Sequence, residues 1–180
     1  MVVWTVGHST QPIDAFLALL RQHALELVAD VRRYPASRRH PQFGREPLEA
    51  SLRDAGINYQ WLPELGGRRT PRRDSRNLGW ENEGFRGYAD YMETEPFQLA
   101  LARLVSLAQA ERTAIMCAEG AWQQCHRGLI SDALRASGHE VVHILRDGRL
   151  EPHPWTAPAR LLEGRLSYPS PAPAQRPLGL

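Results

Sequence analysis

Short apolar runs recur along the first 145 residues of the chain, and amphipathic stretches separate them. Residues 2–6 read as a buried strand that ends in Gly7-His8-Ser9-Thr10. Ile13, Phe16, Leu17 and Leu20 follow at helical spacing, with Thr10 as cap, Pro12 in the first turn and Asp14 near the N-terminus. Residues 25–31 form a second strand, ending in Asp30-Val31-Arg32. Leu48, Leu52 and Ala55 mark a helix that stops at Gly56, and residues 58–62 are a third strand. Helical patterns resume over 85–92 and 96–110, where Phe97, Leu101, Leu104 and Leu107 share a face. Residues 113–117 are a fourth strand, 129–136 a helix and 141–145 a fifth strand. Asp147-Gly148 is a turn, with a hairpin return over 149–153.

Two segments lack this periodicity. Residues 34–43 read as an exposed loop, and residues 63–84 as a long polar one with Gly66-Gly67 and Pro71. Loops of that length are usually functional. From Pro152 onward the chain carries seven of its 14 prolines. The expected organisation is therefore an α/β domain over 1–153 and a Pro-rich, loosely ordered tail over 154–180.

Strands alternating with helices predict a single three-layer α/β domain, with a largely parallel sheet and helices on both faces. Ligands of such sheets bind outside the carboxyl ends of the strands. Three strands end in polar sets: Gly7-His8-Ser9, Asp30-Val31-Arg32 and Cys117-Ala118-Glu119. Parallel strands would bring these ends to one edge. Apolar packing does not need such residues there.

Composition changes this picture in two ways. The 180 residues suffice for one full core, and no apolar run reaches membrane length. No secretory leader is visible, and two cysteines do not make a disulfide framework, so a reduced cytoplasmic protein without a membrane partner is expected. The net charge of +2 hides the second point: all 22 basic residues are arginine. Arg32, Arg33, Arg38, Arg39 and Arg45 form one cluster, and Arg68, Arg69, Arg72, Arg73 and Arg76 another. A preference for arginine codons accounts for the absence of lysine, but not for the clustering. Arginine forks match phosphate and carboxylate. Nearby aromatics (Tyr34, Phe43, Trp61, Trp80, Phe85, Tyr88 and Tyr91) add stacking surfaces. The partners implied are an anionic small molecule or nucleotide, or nucleic acid held by the Arg-rich loops.

The sharpest chemistry is Cys125-His126-Arg127 at a helix start. Unpaired amides, an imidazolium and a guanidinium there stabilise a thiolate. Cys125 is the candidate nucleophile and Cys117 the second choice, since Cys117 is equally explained by core packing. His8 or His126 would move the proton. Glu119 is a candidate acid or base, and with Asp30 would orient the set. Ser9, Asp30, Arg32, Arg127, Arg38 and Arg39 are candidate substrate-binding residues. Seven residues separate Cys117 from Cys125, which is not the thioredoxin-like spacing. Zinc ligation by Cys117, Cys125, His126 and His8 lacks a recognised spacing, so neither metal nor cofactor is expected.

Several motifs in order resemble the bacterial family named domain of unknown function 488. They are Thr5-Val6-Gly7-His8-Ser9-Thr10, Asp30-Val31-Arg32, Pro41-Gln42-Phe43, Leu62-Pro63-Glu64-Leu65-Gly66-Gly67, Gly87-Tyr88-Ala89-Asp90-Tyr91-Met92, Met116-Cys117-Ala118-Glu119, Cys125-His126-Arg127 and Val142-His143-Ile144, within residues 3–153. The family name carries no activity. A looser resemblance is to rhodanese-type sulfurtransferases, which carry Asp-x-Arg near an early strand end and a catalytic cysteine on a loop that closes over an anion. Here Cys117 and Cys125 bracket a longer loop. The leading reading is an enzyme, a cysteine-dependent transferase or hydrolase, acting on a phosphate-bearing or otherwise anionic substrate. The alternatives are a non-catalytic nucleotide or nucleic-acid binder and a cysteine-based redox sensor.

Overall fold

Alternate residues of the central strands feed two separate cores. Val3, Ala29, Ile115 and Cys117 pack into one; Trp4, Val6, Val28, Ala114 and Met116 pack into the other. This is the period-2 geometry of a sheet covered on both faces. The computed structural model describes residues 1–36 and 38–170. Its elements in chain order are β1 (Val2–Gly7), α1 (Ile13–Gln22), β2 (Leu27–Asp30), α2 (Arg45–Asp54), β3 (Asn58–Trp61), α3 (Glu83–Met92), α4 (Glu95–Ala110), β4 (Thr113–Cys117), α5 (Arg127–Ala136), β5 (Glu140–Ile144), β6 (Leu150–Pro152), β7 (Arg160–Leu162) and β8 (Arg165–Ser167). Short 3₁₀ turns cover Pro41–Phe43, Pro63–Leu65 and Trp122–Gln124.

The six-stranded sheet has the order β3-β2-β4-β1-β5-β6. The first five are mutually parallel, and β6 returns antiparallel to β5. Helices α1 and α2 cover one face through Phe16, Leu20, Leu48 and Leu52. Helices α3, α4 and α5 cover the other through Tyr88, Phe97, Leu104 and Ile130. The chain is thus a three-layer α/β domain. Among the described residues no helix is long and apolar enough to cross a membrane.

Strands β2, β4 and β1 are adjacent, so their carboxyl ends share one edge. The loop after β3 is tied to α3 by Asp90. Its buried carboxylate accepts from the Arg72 amide (2.8 Å), Ser75 Oγ (2.7 Å) and Asn77 Nδ2 (2.9 Å). Asn82 caps α3 by accepting from the Phe85 amide at 3.1 Å. Thr10, expected to cap α1, does not: Pro12 occupies that position with no side-chain cap bond. Proline fixes the φ of the turn on its own.

Residues 154–170 depart from the expected loose tail. They carry the β7–β8 hairpin and bury Ala159 and Tyr168. Tyr168 donates its hydroxyl to Asp132 Oδ2 of α5 at 3.1 Å, and its carbonyl accepts from the Gly79 amide at 2.8 Å. The hairpin strands are mostly exposed, and one buried ring anchors them. No apolar alternation marks such a segment. Residues 171–180 lie outside the described residues.

Tyr168→Ala is expected to lower unfolding stability by about 3–5 kcal/mol, and Tyr168→Phe by about 1 kcal/mol. Urea unfolding of both variants checks this. A Tyr168→Ala midpoint equal to that of the parent would show that the segment does not anchor the domain.

Candidate functional site

The ends of β1, β2 and β4 open onto a cavity of about 700 Å³. At the end of β4, the Cys117 thiol donates to Glu119 Oε2 at 2.9 Å. The chain then passes through the 3₁₀ turn at Trp122–Gln124 and enters α5. Cys125 lies one residue before His126, the N-cap of that helix. Nδ1 of His126 is 3.7 Å from Cys125 Sγ and 3.9 Å from Cys117 Sγ. The Arg127 amide donates to Cys125 Sγ at 3.5 Å.

The other ring nitrogen fixes the tautomer. Nε2 of His126 lies 2.9 Å from the Val31 carbonyl, which can only accept, so Nε2 carries a hydrogen. Nδ1 therefore meets both sulfurs. Burial alone would raise the Cys125 thiol, but the neighbouring Cys117 and His126 and the charges of His126 and Arg127 carry it well below the ordinary range. Cys117 moves the opposite way, driven by the neighbouring Cys125, by burial and by Glu119. Burial opposes a charged His126, and Cys125 more than offsets it. These shifts run toward charge on Cys125 and His126, with the proton kept on Cys117.

The opposite wall is built on Arg32. Asp30 receives its Nε at 2.8 Å and Nη2 at 2.5 Å, and the Phe43 carbonyl receives Nη1 at 2.7 Å. Nη1 also reaches His8 Nε2 at 3.2 Å. Tyr59 donates to Asp30 Oδ2 at 2.7 Å. Most of the arginine fork is thus committed inside the protein. His8 stacks on Phe43 with centroids 4.1 Å apart. Its Nδ1 faces the Ser9 carbonyl at 2.9 Å and must carry the hydrogen, which leaves Nε2 to accept from Arg32. Burial, with Arg32 beside it, lowers the His8 pKa to about 4, so the ring is neutral near pH 7.

Arg127 lies behind the cysteine loop, 1% exposed. Nη2 donates to the carbonyls of Glu119 (2.6 Å) and Gly120 (3.2 Å), and Nη1 to Thr5 Oγ1 (3.1 Å). β1 and this loop come so close that a Cβ on Gly7 would lie 2.0 Å from the Glu119 oxygen. Only glycine fits there.

The structure therefore gathers His8, Ser9, Arg32, Cys117, Glu119, Cys125 and His126 around the cavity. Asp30 and Arg127 lie behind its walls, engaged with protein partners. Arg127 supports the loop instead of facing a substrate. Arg38 and Arg39 are exposed and do not line the cavity. Arg33 and Arg68 do, joined by a 2.9 Å bond from Arg33 Nη1 to the Arg68 carbonyl. Neither was singled out within its cluster from sequence. The available signals were position: Arg33 directly follows the Asp-x-Arg strand end, and Arg68 follows Gly66-Gly67. Tyr88, one of the aromatics near the arginine clusters, also lines the cavity, and its hydroxyl holds the Leu65 carbonyl at 2.6 Å. The sulfurs of Cys117 and Cys125 and a His126 ring nitrogen lie within 4.8 Å of one another, the one group among the described residues with the makings of a metal centre.

Fold and site together define a three-layer α/β protein with a thiol, imidazole and carboxylate at the strand ends and arginines at the rim. A family model described as domain of unknown function DUF488 matches residues 12–134, and the chain belongs to that family. The matched span contains Arg32, both cysteines, His126 and Asp132. Comparison with curated proteins and with solved structures returned no match.

Below pH 6.5 the unfolded chain protonates His8, whereas the folded protein resists until about pH 4. Stability is therefore expected to fall as pH drops through that window. In His8→Phe, the plot of unfolding free energy against pH should be less steep there by up to about 1.4 kcal/mol per pH unit. Denaturant titrations from pH 7 to 4 measure the slope; an unchanged slope would show that His8 titrates normally in the folded state.

Proposed function

We propose that this protein is a cysteine-dependent enzyme, a transferase or hydrolase, that acts on a small phosphate-bearing or otherwise anionic substrate, with Cys125 as nucleophile. The observation that carries this reading is the placement of Cys125 Sγ. It lies between the first amide of α5 and Nδ1 of His126, in a cavity rimmed by arginine. A helix N-terminus and an imidazolium are the surroundings that hold a thiolate.

Arg33 and Arg68 take the anion-capturing role, because the fork of Arg32 is largely committed to Asp30, Phe43 and His8. Sγ of Cys125 forms a bond to the electrophilic atom of the substrate as the bond to the leaving group breaks. The leaving group takes the proton that His126 holds on Nδ1. An acceptor, or water, then displaces the sulfur. His8 stays neutral and positions Arg32. The cavity volume suits a ligand of nucleotide size.

Iodoacetamide is expected to alkylate Cys125 with a midpoint well below the ordinary thiol pKa of about 8.5. His126→Gln should move that midpoint upward, and Cys125→Ser should abolish the reaction. Peptide mass mapping across a pH series identifies the modified residue. Alkylation confined to pH values above about 8.5 would exclude the nucleophile.

A second reading, a redox-active dithiol, is favoured by the mutual approach of the two sulfurs. Under it, a disulfide oxidant such as oxidised glutathione accepts two electrons and the two thiol protons, and one Cys117–Cys125 bond forms. The expected outcome is a monomer lighter by two hydrogens with no free thiol. Two thiols that persist under oxidant would remove this reading.

A further inference from the structure

We propose that Cys117, Cys125 and His126 form a binding site for one zinc ion, and that its occupancy caps the Cys125 thiolate. The binding stands on its own geometry; the capping rests on the reading of Cys125 as nucleophile.

Two distances and one upper bound define the site. In tetrahedral zinc coordination with Zn–S about 2.3 Å and Zn–N about 2.0–2.1 Å, the S···N edge is about 3.6 Å. Here Nδ1 of His126 lies 3.7 Å from one sulfur and 3.9 Å from the other. All three ligand atoms fall within 4.8 Å of one another. An ion placed between them needs only small side-chain adjustment.

The surroundings fit as well. A ligating histidine usually donates its second ring N–H to a carbonyl or carboxylate, which fixes the ring and turns the other nitrogen to the metal. Nε2 of His126 already does so to Val31 at 2.9 Å. A Cβ on residue 67 would lie 2.9 Å from Nδ1, so glycine at that position keeps this side of the ring clear. The Glu119 carboxylate beside Cys117 Sγ is placed to take the fourth position, or to leave it to water from the cavity. Two sulfurs and an imidazole suit zinc and disfavour magnesium or calcium, which take oxygen ligands. On binding, the ion replaces the Cys117 thiol proton and the proton on His126 Nδ1, both of which pass to solvent, and Nδ1 ligates as a neutral donor.

The ligands come from a strand end and a helix N-cap, so no finger-like spacing announces them. Cys125 and His126 are adjacent in the chain. They converge because the chain turns into α5 between them.

The test is titration of the metal-depleted full chain. Cobalt(II) is expected to bind at one equivalent, with tetrahedral visible bands and a near-ultraviolet sulfur-to-cobalt band. Zinc should displace it with a Kd of about 1 µM or below. Cys117→Ser and His126→Gln should each weaken zinc by more than about 100-fold. Zinc should also protect Cys125 of the unsubstituted protein from iodoacetamide, and a chelator should restore the reaction; this arm needs no variant to fold. Absence of the sulfur-to-cobalt band, or zinc affinity unchanged in both variants, overturns the site. Fast alkylation that zinc does not slow overturns it while leaving the nucleophile intact. Zinc binding at one equivalent in a protein whose free Cys125 fails to alkylate at neutral pH supports the site and removes the nucleophile.

Discussion

One directed chain of hydrogen bonds holds the cysteine loop in place. Arg127 can only donate, and the Asp132 carboxylate can only accept. Between them, Thr5 Oγ1 accepts from Arg127 and donates to His143 Nδ1 at 2.6 Å. His143 Nε2 then donates to His153 Nδ1 at 2.9 Å, and His153 Nε2 to Asp132 Oδ1 at 3.0 Å. Read in this order, every donor points the same way. Arg127 and Asp132, both buried, are thus joined through one hydroxyl and two imidazoles. Trp122 covers it, stacked on His143 with centroids 4.4 Å apart. Burial and the neighbouring His153 and Arg127 lower the His143 pKa to about 2. A second proton on His143 would turn an acceptor into a donor facing another donor.

This chain explains how a loop after a strand can hold its side chains in fixed positions. Arg127 and Asp132 both belong to α5, yet they are linked through β1, β5 and the segment after β6. Its far end is pinned by Thr156 and Tyr168, both of which bond Asp132. Arg127 passes that rigidity to the carbonyls of Glu119 and Gly120. The Asp30–Arg32–His8–Phe43 set braces the opposite wall in the same manner. The thiols and His126 thus lie between two buried polar networks, in one of which Arg127 Nε is left without a partner.

The strand ends were legible because local rules govern them. Apolar runs at 2–6 and 113–117 ending in polar residues mark parallel strands, and parallel strands put those ends on one edge. Cys125-His126-Arg127 at a helix start was legible for the same reason. The relay was not. Thr5, His143, His153 and Asp132 come from four elements, and each alone reads as an ordinary polar residue in an α/β chain. Arg127 was read as a substrate ligand because sequence places it at a helix N-terminus; only the packing of β1 against the loop turns its guanidinium inward. Tyr168 is a single aromatic amid prolines. A hairpin with exposed strands, held by one ring and a few hydrogen bonds, leaves no periodic trace.

The uneven arginines find their explanation in topology. β3 pairs with β2, so the loop after β2 and the loop after β3 leave the same edge side by side. Arg33 and Arg68, distant in sequence, are therefore neighbours at the cavity mouth. Codon preference predicts arginine wherever a cation is tolerated. It does not predict two cations lining the cavity that holds both thiols. The walls of that cavity are braced by charges locked in the interior, Asp30 with Arg32 on one side and Arg127 on the other. Arg33 and Arg68 keep charge that the interior has not used, and they line the same cavity as Cys125 and His126. Packing two cysteines into an apolar core calls for neither of these arginines nor for the imidazole.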